Sequence, residues 1–494
     1  MLQAKHFRLI CFACALILLV VAFGLLFIHE QHYCLNVPLI SGNDLSQYTE
    51  ITSLDITQLM FDGMPVPADP ARNTIYISQP NSKLLSYSSL YGSLSAANPA
   101  YSLFFVDDLI LKNLTESVRQ NIPLQLLIVC GTEYQRVNVF ITTLPVLCLT
   151  EQDGTPGSGA FTLFGCSDPN NDPYLIRSST ATWHLRGFSS VIYPQKTWKL
   201  NLTNESGKKQ DVALLDLGSD DDWILKPFST DDTKLKEMFT QTVWNQLAAQ
   251  TDYNLPMSTG RYVEVLINNS YQGLYMLQRR VDEKYLELNK EHDILFKGKN
   301  TWTAATLQDG YELQFSPIDQ KAAYAELGQL LSAQNPGGIN TRNVIDVTLL
   351  LQLIAGDDNK GYKNMFYVIQ RSNGASVLTL VPWDTDLSLG VPWQYDYNHS
   401  MSLMPKRPEM AIIEQYTPDL FAQTANRWAA LREDVFSQQN LNAVLDRLSA
   451  VLLASGAVQR DYEQWGDLHD GNDTLENLTR FINERLLLLD QYYS

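Results

Sequence analysis

The stretch VPWDTDLSLG, Val381 to Gly390, decides how the second half of this chain is read. An apolar segment led by Pro382 and Trp383 runs into Asp384 and Asp386, then returns to apolar residues and Gly390. On a continuing strand, positions i and i+2 point the same way, so the two carboxylates share a side and can share one metal ion. An Asp-mediated turn explains one such residue easily. It explains two, behind a buried-looking Pro-Trp pair, less well.

Working outward, three more stretches carry groups suited to phosphate and metal chemistry. Upstream lies GDDNKGYKNMFYV, Gly356 to Val368, which offers Asp358, Lys363 and Asn364 in a loop ahead of a strand. Further upstream, TDDTKLKEMF opens a helical pattern from Asp231 to about Thr251, with Leu235, Met238, Phe239, Val243, Trp244 and Leu247 on one face and Asp231 and Asp232 where an N-cap belongs. Glu237 lies within this pattern and could pair with a strand lysine. Earliest is RGFSSVIYPQKTWKL, Arg186 to Leu200. Its RGFSS segment offers backbone N–H groups and the Ser189 and Ser190 hydroxyls to a phosphate. On the strand KTWKLNL, Trp198, Leu200 and Leu202 alternate inward, so Lys199 points to the opposite face while Lys196 shares the Trp198 face. Either lysine can serve as the phosphate cation, since a strand-borne lysine is a recurring part of phosphoryl-transfer sites.

Two hairpins link these pieces: GRYVEVLINNSYQGLYMLQRRVD turning at NNS, and NMFYVIQRSNGASVLTLVPWD turning at SNG. VIDVTLLLQLIAG reads as a buried helix, and the chain is mostly helical from Thr417 onward.

The four stretches, in this order and with these elements between them, closely resemble the CotH family of spore-coat-type, kinase-like proteins. Members typically show RGxSS with a following KKSYK-type strand, a VEVxxNxxYxGLYxL hairpin, a DxxxKN-type loop and a PWDxD strand end. The C-terminal pieces NRWAALRED and FINERLLLLD also look like the family's. The resemblance covers roughly residues 156–494. It implies an atypical protein-kinase-like α+β domain that binds ATP with Mg²⁺ or Mn²⁺ and phosphorylates serine-type hydroxyls. On this resemblance Lys196 or Lys199 contacts the phosphates, with Arg186, Gly187, Ser189, Ser190 and Glu237 around the nucleotide. Asp358 is the base or a metal ligand, and Asn364, Asp384 and Asp386 hold the metal. There are departures. In protein kinases the catalytic Asp lies five residues before the metal-binding Asn; counting back from Asn364 gives Asn359, with Asp358 one further. Arg279 stands where members often carry Glu, and Lys236-Glu237 where an Arg-Asn pair is common. Glu264 and Glu312 are additional carboxylate candidates.

Composition bounds the rest. The 494 residues are 45% hydrophobic, enough for a large core, and the net charge of −18 argues against a nucleic-acid partner. Leu9 to Ile28 is free of charge and long enough, at helical rise, to cross a bilayer. Lys5, His6 and Arg8 precede it and Glu30 follows, so the expectation is a single-pass anchor with residues 1–30 ending at the membrane, a cytoplasmic N-terminus and an extracellular bulk. Residues 31–155 read as a stalk and a small all-β, sandwich-like module built from runs such as NTIYISQ, YSLFFVDDLIL, LQLLIVC and RVNVFITTLPVLCLT. QDGTPGSGA, Gln152 to Ala160, reads as a linker, and 156–494 as the kinase-like domain. Cys130 and Cys148 either bridge neighbouring strands or are buried thiols. The expected partners are ATP, a surface or envelope protein substrate, and the membrane. A catalytically silent adhesin or envelope- or coat-assembly protein on the same fold is the rival, because fold does not dictate activity.

Overall fold

The computed structural model describes residues 35–84, 86–106, 113–152, 154–165, 176–187, 192–299, 306–332, 336–372, 374–391, 401–466 and 471–494. The Leu9–Ile28 segment, Cys34, Cys166, Ser189 and Ser190 lie outside these residues. Among the described residues no single helix is long and apolar enough to cross a membrane. The chain divides into two units, one formed by residues up to 179 with 263–273 and 453–460, the other by 180–262, 274–452 and 461–494.

In the first unit the β-branched and aromatic runs extend as their composition dictates. They form β1 (Thr74–Ser78), β2 (Ser102–Val106), β3 (Leu124–Cys130) and β4 (Glu133–Thr142). One six-residue helix, α1 (Leu114–Arg119), precedes β3. β4 pairs antiparallel with β3 and parallel with β1. A second, three-stranded sheet joins Leu59–Phe61 to Met64–Pro65 and Leu94–Ala96. Ile75, Ile77, Leu126, Ile128, Val137 and Val139 fill the core on which these strands pack. The region is thus strand-rich as expected, with mixed rather than purely antiparallel pairing. The Gly/Pro/Ser stretch read as a linker is a hairpin turn: β5 (Val146–Glu151) pairs with β6 (Ser158–Phe164), Glu151 opposite Gly159. A Cβ on Gly159 would lie 2.1 Å from the Thr150 carbonyl, so only glycine lets these strands approach. Cys130 and Cys148 are free thiols, which removes the bridge.

The same unit holds a buried ion pair. Arg460 donates from Nε to Glu264 Oε1 at 2.8 Å and from Nη2 to Oε2 at 2.7 Å. The Tyr271 hydroxyl adds a third bond to Glu264 at 2.6 Å. Burial opposes ionisation of Glu264, but the Arg460 guanidinium holds its pKa below the usual range. Glu264, a carboxylate candidate from sequence, is therefore a structural anchor in this unit.

The second unit carries two antiparallel sheets and a helical half. β7 (Arg177–Leu185) leads by way of Arg186 to β8 (Trp198–Thr203), and β9 (Asp222–Pro227) follows. Next come α2 (Lys236–Ala248) and the hairpin strands β10 (Gly260–Ile267) and β11 (Ser270–Arg279), of which residues 263–273 belong to the first unit. The turn between β10 and β11 is the expected Asn268-Asn269, both with positive φ, as a right-twisted two-residue hairpin requires. β8 pairs with β7 and β9, and β9 with β11. β12 (Ile294–Gly298) lies between β13 (Tyr311–Phe315) and, after the buried helix α3 (Thr341–Ile354), β14 (Met365–Ser372), which pairs with β15 (Ala375–Pro382). Asn343 ties α3 to β15 by exchanging hydrogen bonds with the Leu380 backbone, at 3.0 and 2.7 Å. The helical C-terminal part holds α4 (Leu420–Arg432), α5 (Gln438–Ser455), α6 (Ala457–Trp465) and α7 (Leu475–Tyr493), of which residues 453–460 belong to the first unit.

The six apolar residues expected on the inner face of α2 are all buried. Each contributes about 1.5–3 kcal/mol of apolar burial for a Leu- or Phe-sized side chain. The N-cap assignment is corrected: α2 starts at Lys236, five positions later than Asp231. Asp231 still serves the helix start, because its carboxylate accepts from the backbone N–H groups of Lys234 at 3.0 Å and Lys236 at 2.8 Å.

Candidate functional site

The β14–β15 hairpin brings two of the sequence motifs together. Met365 lies opposite Pro382, so the loop residue before β14, Asn364, faces the residue after β15, Trp383. The Trp383 N–H donates to the Asn364 carbonyl at 3.1 Å. Asn359 fastens the pair from beneath, its Nδ2 donating to the carbonyls of Asn364 at 3.0 Å and Trp383 at 2.9 Å. Asn359 thus occupies the position five residues before Asn364 as a structural tie. Asp358 carries the carboxylate instead: the Asn364 Nδ2 donates to its Oδ2 at 2.9 Å and to the Asp384 carbonyl at 3.3 Å. Asn364 and Asp384 both sit in the left-handed region, at φ 52° and 55°. Asn and Asp tolerate it best after glycine, at a cost on the order of 1 kcal/mol or more each.

Two further contacts hold the loop. Arg407, buried and paired with Glu409 at 3.0 Å, donates from Nη1 to the Asn359 carbonyl at 2.9 Å. Gly298 lets the Tyr362 carbonyl pass where a Cβ would lie 1.7 Å from it.

The cation at the centre of the site is Lys226, on β9. Its Nζ is ion-paired with Glu237 on α2 and with Asp384, and lies 3.6 Å from Asp386 Oδ2. Thr230 Oγ1 donates to Asp386 at 2.9 Å, and the Leu387 N–H donates to its other oxygen at 3.0 Å. Glu237, Asp384 and Asp386 each offer an oxygen within 4.8 Å of the others. Burial pushes Glu237 up to about 7, against the pull of Lys226. Burial also raises Asp386, while Lys226 keeps Asp384 below the ordinary carboxylate range despite its desolvation. Asp358 is raised by burial, although Lys363 bonds both its oxygens at 2.7 Å.

The position of Glu237 is fixed by buried charges at the start of α2. Lys236, fully buried, pairs with Asp231 at 3.0 Å and with Asp473. Lys234 pairs with Asp461 of α6 at 3.0 Å. Asp461 also accepts from the Leu274 N–H at 2.8 Å and Gln195 Nε2 at 3.1 Å. Lys236-Glu237, noted as a departure from the family pattern, therefore divides its duties: Lys236 anchors the helix and Glu237 faces the site.

The remaining sequence candidates fall around this centre. Lys199 projects from β8, opposite the buried Leu200 and Leu202, and pairs with Asp222 at 3.0 Å. Lys196 instead donates to the Tyr193 carbonyl at 2.6 Å. Neither pairs with Glu237. Arg186 and Lys199 line a cavity of about 240 Å³ together with Arg280, Lys297, Glu312 and Trp383. Gly187, at φ 100°, follows Arg186 directly. Burial lowers the pKa of Arg186 and of Lys297, and Arg186 lowers Lys297 further. Arg279 lies away from the site, bonded to Asp220 at 2.8 Å. Sequence reasoning missed Lys226. Its signal was a lone lysine in the apolar strand DWILKPF, ahead of the helix that bears Glu237.

A comparison with known families settles the kinship. The model of the CotH kinase protein family matches residues 184–489, more than half of the chain. The chain belongs to the CotH family. The match spans every residue of the Lys226 centre. No curated protein matches the chain.

The CotH site is also chemically suited to a hard divalent cation. Its candidate ligand atoms are oxygens: the carboxylates of Asp384, Asp386 and Glu237, now held by Lys226, and the Asn364 side-chain oxygen, whose amide nitrogen is already engaged. Mg²⁺ and Mn²⁺ favour such oxygen donors. Asp384, Asp386 and Asn364 would hold the ion, which when bound would neutralise phosphate charge.

Proposed function

We propose that this CotH protein is an ATP-dependent phosphotransferase acting on serine-type hydroxyls of surface or envelope proteins. The observation that carries the reading is Lys226, a partly buried strand lysine joined at once to Glu237 of the neighbouring helix and to the Asp384–Asp386 pair. A strand lysine steadied by a helix glutamate, beside a strand-end Asp and a loop Asn, is the arrangement phosphoryl transfer uses to orient phosphates. Lys226 would turn from Asp384 toward the phosphates, with Glu237 keeping it aimed. Asp358 would accept the proton of the attacking hydroxyl as that oxygen bonds the γ-phosphorus and the bond to the β-phosphate breaks, releasing ADP. Its raised pKa makes it a better proton acceptor than a solvated carboxylate. The chain would be anchored by Leu9–Ile28 with the CotH region outside the cell.

One observation favours a silent surface protein instead. Lys363 holds both oxygens of Asp358, and the Asp358–Asn364 spacing is one residue longer than in protein kinases. The deciding experiment incubates the full chain, in detergent, with γ-labelled ATP and Mn²⁺ beside Asp384→Ala. Label incorporated by the wild type and lost in the variant supports the phosphotransferase. Equal, background incorporation supports the silent protein. An α-labelled arm separates transfer of AMP from transfer of phosphate.

A further inference from the structure

Lys226 engages one oxygen of Glu237, Oε2, and the other oxygen has a partner of its own. One turn later on α2, Gln241 donates from Nε2 to Glu237 Oε1 at 3.4 Å. The same nitrogen donates to Gln278 Oε1 on β11 at 3.0 Å. Gln241 Oε1 accepts from the Gly260 N–H, at the start of β10, also at 3.0 Å. Glu237, Gln241 and Gln278 are all buried. A backbone N–H only donates, so the Gly260 contact fixes which end of the Gln241 amide is oxygen and leaves its nitrogen for Glu237. A Cβ on Gly260 would run into Met276 and Met238, so only glycine lets β10 come this close. Gln278 is a poor choice for packing alone. Its Nε2 has no hydrogen-bond partner among the described residues, and a buried donor left unpaired destabilises a fold. What Gln278 provides is the oxygen that holds the Gln241 nitrogen in place beside Glu237.

We infer that Gln241 and Gln278 are positioning residues, a buried amide relay that keeps the Glu237 carboxylate turned toward Lys226. The contacts stand on their own, and the inference rests on the phosphotransferase reading only for what the aim achieves. Neither glutamine touches the reacting groups. Gln278 fixes Gln241, Gln241 fixes Glu237, and Glu237 fixes the ammonium that would meet the phosphates. A preorganised charge acts on the transition state more than on ground-state binding, so loss of the relay falls on kcat rather than on KM for ATP.

The test is a double-mutant cycle on the full chain in detergent: Glu237→Gln, Gln241→Met and the two combined. Each protein is read by γ-label transfer with Mn²⁺ at varied ATP and by urea unfolding. Gln241→Met should lower kcat about tenfold and leave KM for ATP within about threefold. In the Glu237→Gln background the same change should lower kcat by less than about threefold, because residues that act through one another are not additive. Gln278→Met exchanges one unpaired donor, its own Nε2, for an N–H of Gln241. Its melting should therefore stay near wild type while kcat falls, a split that a merely structural role does not produce. Should Gln241→Met fail to fold, Gln278→Met takes its place in the cycle with Glu237→Gln. An equal loss of kcat in both backgrounds, or wild-type kcat in the folded glutamine variants, overturns the relay. The two readings fail separately. If the wild type transfers no label above Asp384→Ala, the phosphotransferase falls, and the urea cycle alone decides the relay: coupled losses of stability keep it, and additive losses remove it.

Discussion

Lys226 and Glu237, eleven positions apart in the chain, form the ion pair on which the site turns. The strand carries the ammonium, the helix carries the carboxylate, and Asp384 arrives from a hairpin 158 residues away from Lys226. Replacing Lys226 with Met should lower label transfer by about a hundredfold or more, the scale for removing a preorganised electrostatic contact to a reacting group. Lys196→Met should stay near wild type. Transfer rates of the two variants under saturating Mn²⁺ check this. A Lys196→Met defect as deep as that of Lys226→Met would return the phosphate role to the lysine first considered from sequence.

Asp473 is expected to act on this pair from a distance. Asp473→Ala would leave the fully buried Lys236 with Asp231 alone. Loss of a buried charged hydrogen bond costs about 1.5–3 kcal/mol, so urea unfolding should show a drop of that size. If α2 is thereby loosened, kcat should also fall while Asp473→Glu recovers part of it. Unchanged stability would show that Asp231 suffices.

Arg460 and Glu264 should behave as a structural pair. Arg460→Met removes the partner of a carboxylate with no solvent exposure. Breaking such a pair costs about 3–5 kcal/mol because the remaining charge is stranded. Urea denaturation should register this, and the double variant Arg460→Met/Glu264→Gln should recover much of the loss.

The pH dependence of Glu237 has a definite sign. Its folded pKa of about 7 lies above the ordinary value of 4.5. Between those values the folded chain holds a proton that the unfolded chain has released. The contribution of Glu237 to stability is therefore fully present below pH 4.5, falls as pH rises toward 7 and is flat beyond. Urea unfolding at pH 5 and pH 8 should show wild type losing stability relative to Glu237→Gln, by an amount on the order of one to a few kcal/mol. A constant difference between the two proteins would contradict the raised pKa.

The sequence carried much of the site because its chemistry is local. Asp358, Asn364, Asp384 and Asp386 lie in two short motifs that a single hairpin must bring together, and the SNG turn announces that hairpin. The inner face of α2 was equally legible, since Leu235 to Leu247 follow a helical period. Lys226 was not. One lysine in an apolar strand reads as an edge or a snorkelling residue until the helix bearing Glu237 is folded against it. The start of α2 was misplaced because Asp231 bonds the Lys236 N–H across five residues, a geometry that a capping pattern does not encode. The linker reading of Gln152–Ala160 failed for a similar reason: glycine there serves close strand pairing at Gly159 rather than freedom.

The most direct measurement is ATP binding by the full chain with and without Mn²⁺, followed by calorimetry for wild type and Asp384→Ala. The account expects saturable binding that requires the metal and weakens at least about tenfold in the variant, the loss of one charged metal ligand. Binding that is equal in EDTA, or equal in Asp384→Ala, would contradict a nucleotide and metal site at Lys226, Glu237, Asp384 and Asp386.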